Sequence, residues 1–343
     1  MDDSGNFQRM ILDSLQKPIP ELTLMAIGNL RKTLQAGFTT VRDVGSREFI
    51  DVGLRNAVRT GRIEGPRMLV AVHALGSTGG HCDDSAGFRA GLFGRETGPE
   101  DGVINSPEQA RYAVRYNVKY GADVIKTCAT GGVLSLTDEI DTPQLTQEEL
   151  NALVDEAHAL RKKTAAHAHG ATGAKRAIRA GIDSIEHGTF LDDEALDMMK
   201  QRGTVLIPTL MALEGGRAMI AAGSQPPAIE AKMRAAIETM SKTFKNAIAR
   251  GVIIGLGTDA AVYPHGRNAG EFNQMVQLGM DPIAALRAGT SVDARLLGIE
   301  ALTGTLEAGK SADVVVIPGD PSHDVRSTEH VTFVMKEGAI FRR

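Results

Sequence analysis

Residues 164–188 read TAAHAHGATGAKRAIRAGIDSIEHG and contain the repeating unit from which the fold is predicted. Two short apolar segments, at about 164–169 and 183–187, lie on either side of a helical stretch that ends near Gly181. Glycine suits the end of a helix because it tolerates the positive φ that a C-cap requires. A strand, a helix and a second strand in this order form a βαβ unit, which predicts parallel strands.

The same alternation recurs along the chain and predicts an α/β fold with a parallel sheet. The predicted strands lie at about 38–44, 68–74, 122–128, 164–169, 183–187, 204–210 and 252–258. Glycines end helical stretches immediately or shortly before strands at Gly37, Gly121, Gly181, Gly203 and Gly251. Helix starts are predicted at Ser106, which precedes a proline, and at Thr146, which forms a capping box with Glu149.

The pattern changes after about residue 303. TGTLEAGKSADVVVIPGDP (303–321) and HVTFVMKEGAIFRR (330–343) are short alternating runs with Gly and Pro turns and no helical period. They predict antiparallel strands of a small separate sheet. We therefore expect a barrel domain over 1–302 and part of a small β-sandwich domain over 303–343.

The composition excludes several classes of partner. Hydrophobic residues make up 42% and charged residues 23% of the 343 residues, which is ordinary for a globular protein. The net charge is −4 without a basic block, so we expect no nucleic-acid partner. The longest apolar runs are too short to span a membrane, which predicts no membrane partner. A small-molecule or dipeptide-like substrate and a homo-oligomer both remain open.

The cysteines and the N-terminus bear on the cellular compartment. Cys82 and Cys128 are the two cysteines and form no CxxC pair, so neither a disulfide framework nor a thiolate zinc site is expected. A reducing compartment fits that expectation. MDDSGNFQRMILDSL lacks the basic start and apolar run of a signal peptide, which predicts a cytoplasmic protein unless an export signal has been removed.

Polar side chains fall at the carboxyl ends of four predicted strands: Lys126, His167 with His169, His187 and Asp259. In a (β/α)₈ barrel that end holds the active site, because the βα loops converge there. Each residue has an ordinary structural alternative, such as a hydrogen-bonded buried histidine or an aspartate that caps a helix. One divalent metal cluster explains all of them together.

The ordered motifs resemble a known family. ADVIKTCATGG, AAHAHG, DSIEHG, LGTDA, YPHGRN and TGTLEAGKSADVVV are similar to the metal-dependent amidohydrolase superfamily, in its Xaa-Pro dipeptidase and imidazolonepropionase-like branch. The resemblance covers nearly the whole chain. It implies a (β/α)₈ TIM-type barrel with a small C-terminal β-sandwich, and an amidohydrolase acting on carbon-nitrogen bonds.

The resemblance also implies roles for the polar residues. Lys126 would be carboxylated and bridge two divalent metals, with zinc expected. His167 and His187 would bind the second metal. Asp259 would bind the first metal and accept a proton from the bridging hydroxide. His167 is favoured over His169 because related barrels use the first histidine of this motif, which leaves His169 for substrate or for supporting contacts.

Other residues carry weaker signals. His81 lies in GGHCDD, similar to a loop of the family that can approach substrate, and an exposed loop histidine is an equal alternative. Tyr263 and His265 follow Asp259 and are predicted to bind substrate, with simple loop packing as the alternative. Arg42 and Asp43 match a motif of the family that we interpret as a buried ion pair or a contact in the barrel floor.

The sequence departs from the family in one respect. The family's first strand ends in HxH, and the HxH of this sequence, His167 with His169, belongs to a later strand. We therefore expect that this chain lacks the first barrel strand, as a truncated gene model, a fragment or a diverged copy. It is then expected to hold fewer than the two metals of the complete pattern, with one here, and to show little activity.

The leading functional prediction is metal-dependent hydrolysis of an amide bond in a dipeptide or N-acyl amino acid, with a metal-activated hydroxide as nucleophile. The alternatives are hydrolysis of a cyclic amide, an ester or a carbamate, because the loops and not the fold set substrate choice. The non-enzyme alternative is an inactive truncated homologue.

Overall fold

The computed structural model describes residues 7–343. Its parallel strands follow one another in chain order: β1 (Thr40–Asp43), β2 (Arg67–Val70), β3 (Val124–Cys128), β4 (Lys163–Gly170), β5 (Ser184–Phe190) and β6 (Val205–Ile207). β1 pairs with β2, and β3 to β6 pair in sequence. Leu75, in the loop after β2, makes an isolated parallel bridge with Thr127 of β3. Parallel neighbours in chain order are the arrangement of a TIM-type barrel.

Helices connect the strands: α1 (Phe7–Gln16), α2 (Ile19–Gln35), α3 (Ile50–Arg59), α4 (Pro107–Lys119), α5 (Gln147–Ala159), α6 (Ala171–Ala180), α7 (Asp193–Arg202), α8 (Leu210–Ala221), α9 (Pro227–Arg250), α10 (Gly270–Gln277), α11 (Pro282–Arg287) and α12 (Asp293–Leu296). Shorter helical turns occupy Pro99–Asp101, Ala288–Val292 and Val325–His330. Across the described residues, we find no helix long and apolar enough to cross a membrane.

The predicted helix ends are confirmed. Ser106 caps α4 by accepting a hydrogen bond from the backbone N–H of Gln109, and Thr146 and Glu149 form the capping box of α5. Gly181 ends α6 with a φ of 97°. These caps satisfy backbone groups that would otherwise lack partners at the helix ends.

The predicted strand at 252–258 is wrong as a full strand. This segment makes one parallel bridge, between Ile254 and Leu206 of β6, and the backbone N–H of Gly255 donates to the Leu206 carbonyl at 3.0 Å. The next N–H, on Leu256, turns instead to the carboxylate of Asp293 at 3.2 Å. Successive N–H groups of a strand point to opposite sides, so the Asp293 side chain takes a backbone hydrogen bond on the edge that faces away from β6, where a further strand of a barrel would pair.

Two other strands are shorter than predicted. β2 ends at Val70, and Val72 beyond it has a φ of 68°, which interrupts an extended backbone. β6 ends at Ile207, and Thr209 has a φ of 50° immediately before α8. Val72 and Thr209 are β-branched, a feature typical of strands, so the sequence did not signal these turns.

A buried ion pair crosses the interior between β1 and β5. The Arg42 guanidinium contacts the Glu186 carboxylate at 2.8 Å and Ser184 Oγ at 3.1 Å, with side chains 9% and 5% exposed for Arg42 and Glu186. The predicted buried pair is thus present, but its acid is Glu186 and not Asp43. Neighbouring residues of a strand face opposite sides of a sheet, which separates Arg42 from Asp43.

The C-terminal strands are antiparallel, as predicted: β7 (Val314–Val316), β8 (Phe333–Lys336) and β9 (Ala339–Arg342). Leu34 of α2 packs with Val331 and Val334 to form a small apolar cluster between this sheet and the rest of the chain. Arg67 of β2 contacts Asp313 at 2.9 Å. The division into domains at residue 302 stays a prediction.

Cys82 and Cys128 form a disulfide, although the sequence predicted no disulfide framework. They are 46 residues apart in the chain, with Cα atoms at 5.8 Å. The loop after β2 runs beside β3, because Leu75 exchanges backbone hydrogen bonds with Lys126 and Cys128. A Cβ atom on Gly76 would lie 2.8 Å from the Cβ of Cys82, so glycine leaves the space for this approach.

We expect that reducing this disulfide lowers the free energy of unfolding by about 2–4 kcal/mol, because a cross-link restricts the unfolded chain. Guanidinium unfolding with and without dithiothreitol measures the change. The double variant Cys82→Ala, Cys128→Ala is the control and should not respond to the reductant. Equal stability of the parent protein under both conditions would contradict the pairing.

A second stability prediction concerns Glu271, which is 0% exposed. Its carboxylate accepts backbone hydrogen bonds from Leu210 and Met211 at the start of α8, at 2.7 and 2.8 Å. Burial raises the pKa of Glu271 from 4.5 to about 8. The folded state therefore keeps a proton that the unfolded state loses, so this group reduces stability as pH rises from about 4.5 to 8.

We expect Glu271→Gln, which stays neutral, to lose less free energy of unfolding than the parent between pH 6 and pH 9. Chemical denaturation at the two pH values measures this difference. Glu307→Gln, at a side chain that is 62% exposed, is the matched control and should follow the parent. Parallel pH profiles for the parent and Glu271→Gln would refute the assignment.

Candidate metal site

Three histidine rings meet at the carboxyl ends of β4 and β5. The metal-binding nitrogens that His167, His169 and His187 offer all lie within 4.8 Å of one another. The ring centroids are 4.7 Å apart for His167 and His169, and 4.8 Å apart for His167 and His187. Such a cluster of imidazoles is suited to a transition metal such as zinc.

The backbone of His187 makes this cluster possible. His187 pairs in register with Ala168, one residue out of step with His167. Strict alternation would therefore send its side chain to the opposite face of the sheet. His187 instead has a φ of 68°, which is uncommon for a residue other than glycine, and its ring joins the other two. Backbone strain of this kind concentrates at functional sites.

Hydroxyl groups and a carbonyl hold the rings in place. His169 Nδ1 lies 2.7 Å from Thr189 Oγ1, and His187 Nδ1 lies 2.7 Å from Thr209 Oγ1. His167 Nε2 donates to the carbonyl of Gly131 at 3.0 Å. Contacts of this kind fix ring orientation and tautomer in metal sites. Our sequence reasoning missed both threonines, although each stands at or beyond the end of a strand.

The rings are neutral at physiological pH. Burial lowers the pKa of His169 to about 3, and it lowers the pKa of His167 and His187 well below the ordinary value. The neighbouring histidines, together with the Lys126 ammonium, lower the pKa of His167 and His187 further. Neutral imidazole keeps a lone pair, which is the form that binds a metal.

Lys126 and Asp259 are the other predicted ligands. Lys126 lies on β3 and is 7% exposed. Burial lowers the pKa of its ammonium, while the charges of Glu186 and Asp259 act in the opposite direction. Asp259 lies five residues after Ile254 and has a φ of 52°. Burial raises the pKa of its carboxyl group, and the positive charge of Lys126 lowers it. The two residues thus interact electrostatically.

A cavity of about 210 Å³ contains part of this site. His81, Lys126 and His167 line it, together with Arg47 and Asp84 at its rim. The rings of His81 and His167 stack with centroids 4.3 Å apart, and burial lowers the pKa of His81 to about 4. The loop histidine is therefore not an exposed surface residue but part of the cavity wall.

Tyr263 and His265 do not line this cavity. Tyr263 is 3% exposed, and burial raises the pKa of its hydroxyl above the ordinary value. His265 is half-buried in the same loop. Their predicted contact with substrate stays a prediction.

Known proteins resemble this chain in both sequence and structure. The family described as "Amidohydrolase family" matches residues 25–341. Ochratoxinase from Aspergillus niger is 33% identical over 329 residues, which cover 91% of this chain and 67% of that protein. A solved Xaa-Pro dipeptidase with bound methionine is 40% identical, with a TM-score of 0.92 over 96% of this chain and 82% of that one.

A solved prolidase complexed with N-methylphosphonate-L-proline is 31% identical, with a TM-score of 0.87 over 98% of this chain and 83% of that one. These structural likenesses confirm the predicted TIM-type fold with its small C-terminal sheet.

We expect Thr209→Val to weaken binding of zinc about 10- to 100-fold, because it removes the partner that orients His187. Titration with zinc against a competing chelator measures the affinity. Thr209→Ser keeps the hydroxyl and should restore most of the affinity. Thr204→Val, at a buried threonine just before the other end of β6, is the matched control. Equal affinities for all three variants would exclude the role of Thr209.

Proposed function

This chain belongs to the amidohydrolase family, and we propose that it is a metal-dependent enzyme that hydrolyses the C–N amide bond of a dipeptide or an N-acyl amino acid. One observation carries the proposal: three neutral histidines converge beside a buried lysine at the end of the barrel strands. Metal-binding histidines have their rings oriented by hydrogen bonds to neighbouring groups, as the rings of this cluster have.

The residues present fit a divalent ion, and zinc is the metal we propose. His167 and His187 would hold it, as the family resemblance implies, and His169 offers a third nitrogen within the same cluster. Lys126 and Asp259 complete the proposed set. When bound, the ion would polarise the substrate carbonyl and lower the pKa of water toward neutrality.

Lys126 is proposed to be carboxylated on Nζ. The reaction joins the nitrogen lone pair of a neutral amine to the carbon of carbon dioxide and releases one proton. Burial favours the neutral amine, since it lowers the pKa of the Lys126 ammonium. The resulting carbamate is an anion with two oxygens, which hard divalent cations prefer.

Asp259 is proposed as the general base and acid. Its carboxylate would accept a proton from the attacking water and then deliver that proton to the nitrogen of the leaving amine. Loss of hydration raises the pKa of Asp259, which makes the carboxylate a better base than an ordinary aspartate. The positive charge of Lys126 acts on this carboxylate and lowers its pKa, which supports a role for both residues in one site.

The cavity favours a small substrate. Its volume of about 210 Å³ lies below the range usual for drug-sized ligands. His81 and Lys126 place polar groups on its wall. His169, whose ring lies beside that of His167, is proposed as a further contact to substrate. Tyr263 and His265 are proposed to contact substrate from the loop after Asp259. The names of the Xaa-Pro dipeptidase and prolidase relatives favour a dipeptide.

We expect the purified protein, loaded with zinc, to release free amino acid from members of a panel of dipeptides and N-acyl amino acids. Chelation should abolish the release and added zinc should restore it. Asp259→Asn should lower kcat about 10²- to 10⁴-fold, the usual loss for a general base. His323→Asn, at a side chain that is 85% exposed, is the control and should leave kcat unchanged.

The same panel includes cyclic amides, esters and carbamates. Turnover of one of these classes with no amide cleavage would replace the proposed substrate. Absence of turnover in every class, with zinc bound, would favour an inactive homologue instead.

A further inference from the structure

A chain of hydrogen bonds runs from His81 into the loop after β3. His81 Nδ1 lies 3.0 Å from Ser135 Oγ, and Ser135 Oγ lies 2.6 Å from Asp138 Oδ1 and 3.2 Å from the Gly132 carbonyl. A carboxylate and a carbonyl can only accept hydrogen bonds, so the single proton of Ser135 goes to one of them. Ser135 Oγ must then accept from His81, which places the imidazole proton on Nδ1.

We propose that Ser135 and Asp138 are positioning residues that fix the tautomer of His81, so that its Nε2 serves as a hydrogen-bond acceptor for an N–H group of the substrate. This inference rests on the proposed function, since it specifies how the amide substrate is recognised at that site. Ser135 and Asp138 act through His81 and do not contact the substrate themselves.

Asp138 is built into the loop as an ionised acceptor. Its side chain is 6% exposed, Gln144 Nε2 donates to its second oxygen at 2.8 Å, and Lys232 Nζ approaches its first oxygen at 3.2 Å. Burial alone would raise the pKa of Asp138, but the hydrogen bonds from Ser135 and Gln144, helped by the charge of Lys232, lower it below the ordinary value. Asp138 therefore accepts from Ser135 and does not donate to it.

Lys232 holds the loop in this shape. It extends from α9, is 9% exposed, and donates to three backbone carbonyls, those of Gly132, Ser135 and Asp138, at 2.7 to 2.8 Å. An ammonium has three protons, and these carbonyls satisfy them. The position of Ser135 is thus set by a buried clamp and not by a mobile surface turn.

Gln144 makes a second hydrogen-bond connection between the loop and His81. Gln144 donates to Asp138 with its amide nitrogen and accepts from the backbone N–H of His81 with its amide oxygen, at 3.0 Å. A Cβ on Gly132 would overlap the His81 ring, so glycine allows the loop to lie against it. The disulfide at Cys82 anchors the next residue to β3. Backbone and ring of His81 are therefore both fixed.

The tautomer decides what His81 can recognise. An Nε2 with a lone pair accepts a hydrogen bond from an amide N–H or an ammonium group, and it cannot donate one to a carbonyl. His81 lines the cavity together with Lys126 and His167, and its ring stacks on that of His167, so the proposed acceptor belongs to the side chain that shares this wall with the proposed metal ligands. The substrate class that fits carries an N–H donor close to its scissile carbonyl.

Nitrogen-15 NMR of the histidine rings tests the proposal without relying on turnover. The spectrum of the zinc-loaded protein, with His81 assigned through His81→Gln, should show the proton on Nδ1. Ser135→Ala should shift the population toward the Nε2–H form, and Ser135→Thr should restore the parent pattern. Ser322→Ala is the matched control, because Ser322 contacts His323 and Asp320 in a similar but exposed group.

A parent spectrum with the proton on Nε2, or a His81 signal that Ser135→Ala leaves unchanged, would overturn the proposal even if amide hydrolysis is established. Conversely, the predicted spectra would stand if no amide substrate were found. For an amide that is hydrolysed, Ser135→Ala should raise KM about 3- to 10-fold with little change in kcat, as expected for one lost neutral hydrogen bond. An unchanged KM would contradict recognition through Nε2.

Discussion

The left-handed backbone of His187 is the constraint on which the candidate site depends. Parallel pairing places His187 opposite Ala168, where alternation would turn its ring away from His167. A φ of 68° reverses that direction and brings the ring to 4.8 Å from His167. Thr209, which contacts His187 Nδ1, and Asp259 also have positive φ, of 50° and 52°. The strands hold the backbone in place, and the positive φ of these residues near the strand ends sets the direction of their side chains.

Much of the fold could be predicted from the sequence because its signals are local. Apolar segments of suitable length predicted the strands, and capping residues such as Ser106 and Gly181 predicted the helix ends. Both signals depend only on residues that are close in the chain. The segment at 252–258 has the same local pattern, but a carboxylate 37 residues away takes one of its backbone hydrogen bonds. The disulfide was missed for a similar reason, because 46 residues separate its two cysteines.

The candidate site divides in the same way. Lys126, His167, His169, His187 and Asp259 were identified from the sequence because polar groups at consecutive strand ends are conspicuous. The residues that orient them were not. Thr189 and Thr209 contact the rings of His169 and His187, and both threonines look ordinary in the sequence. Their importance lies in contacts that only the folded chain reveals. Burial explains why the histidines need these contacts. It keeps the rings neutral, and a buried ring nitrogen needs a hydrogen-bond partner.

The rings of His167, His169 and His187 are proposed to form a site for a divalent ion. Anomalous diffraction at the zinc absorption edge, from crystals grown with zinc, tests it most directly. We expect a strong anomalous peak within bonding distance of nitrogens from at least two of the three rings of His167, His169 and His187. A peak located elsewhere on the protein, with none beside these rings, would contradict it.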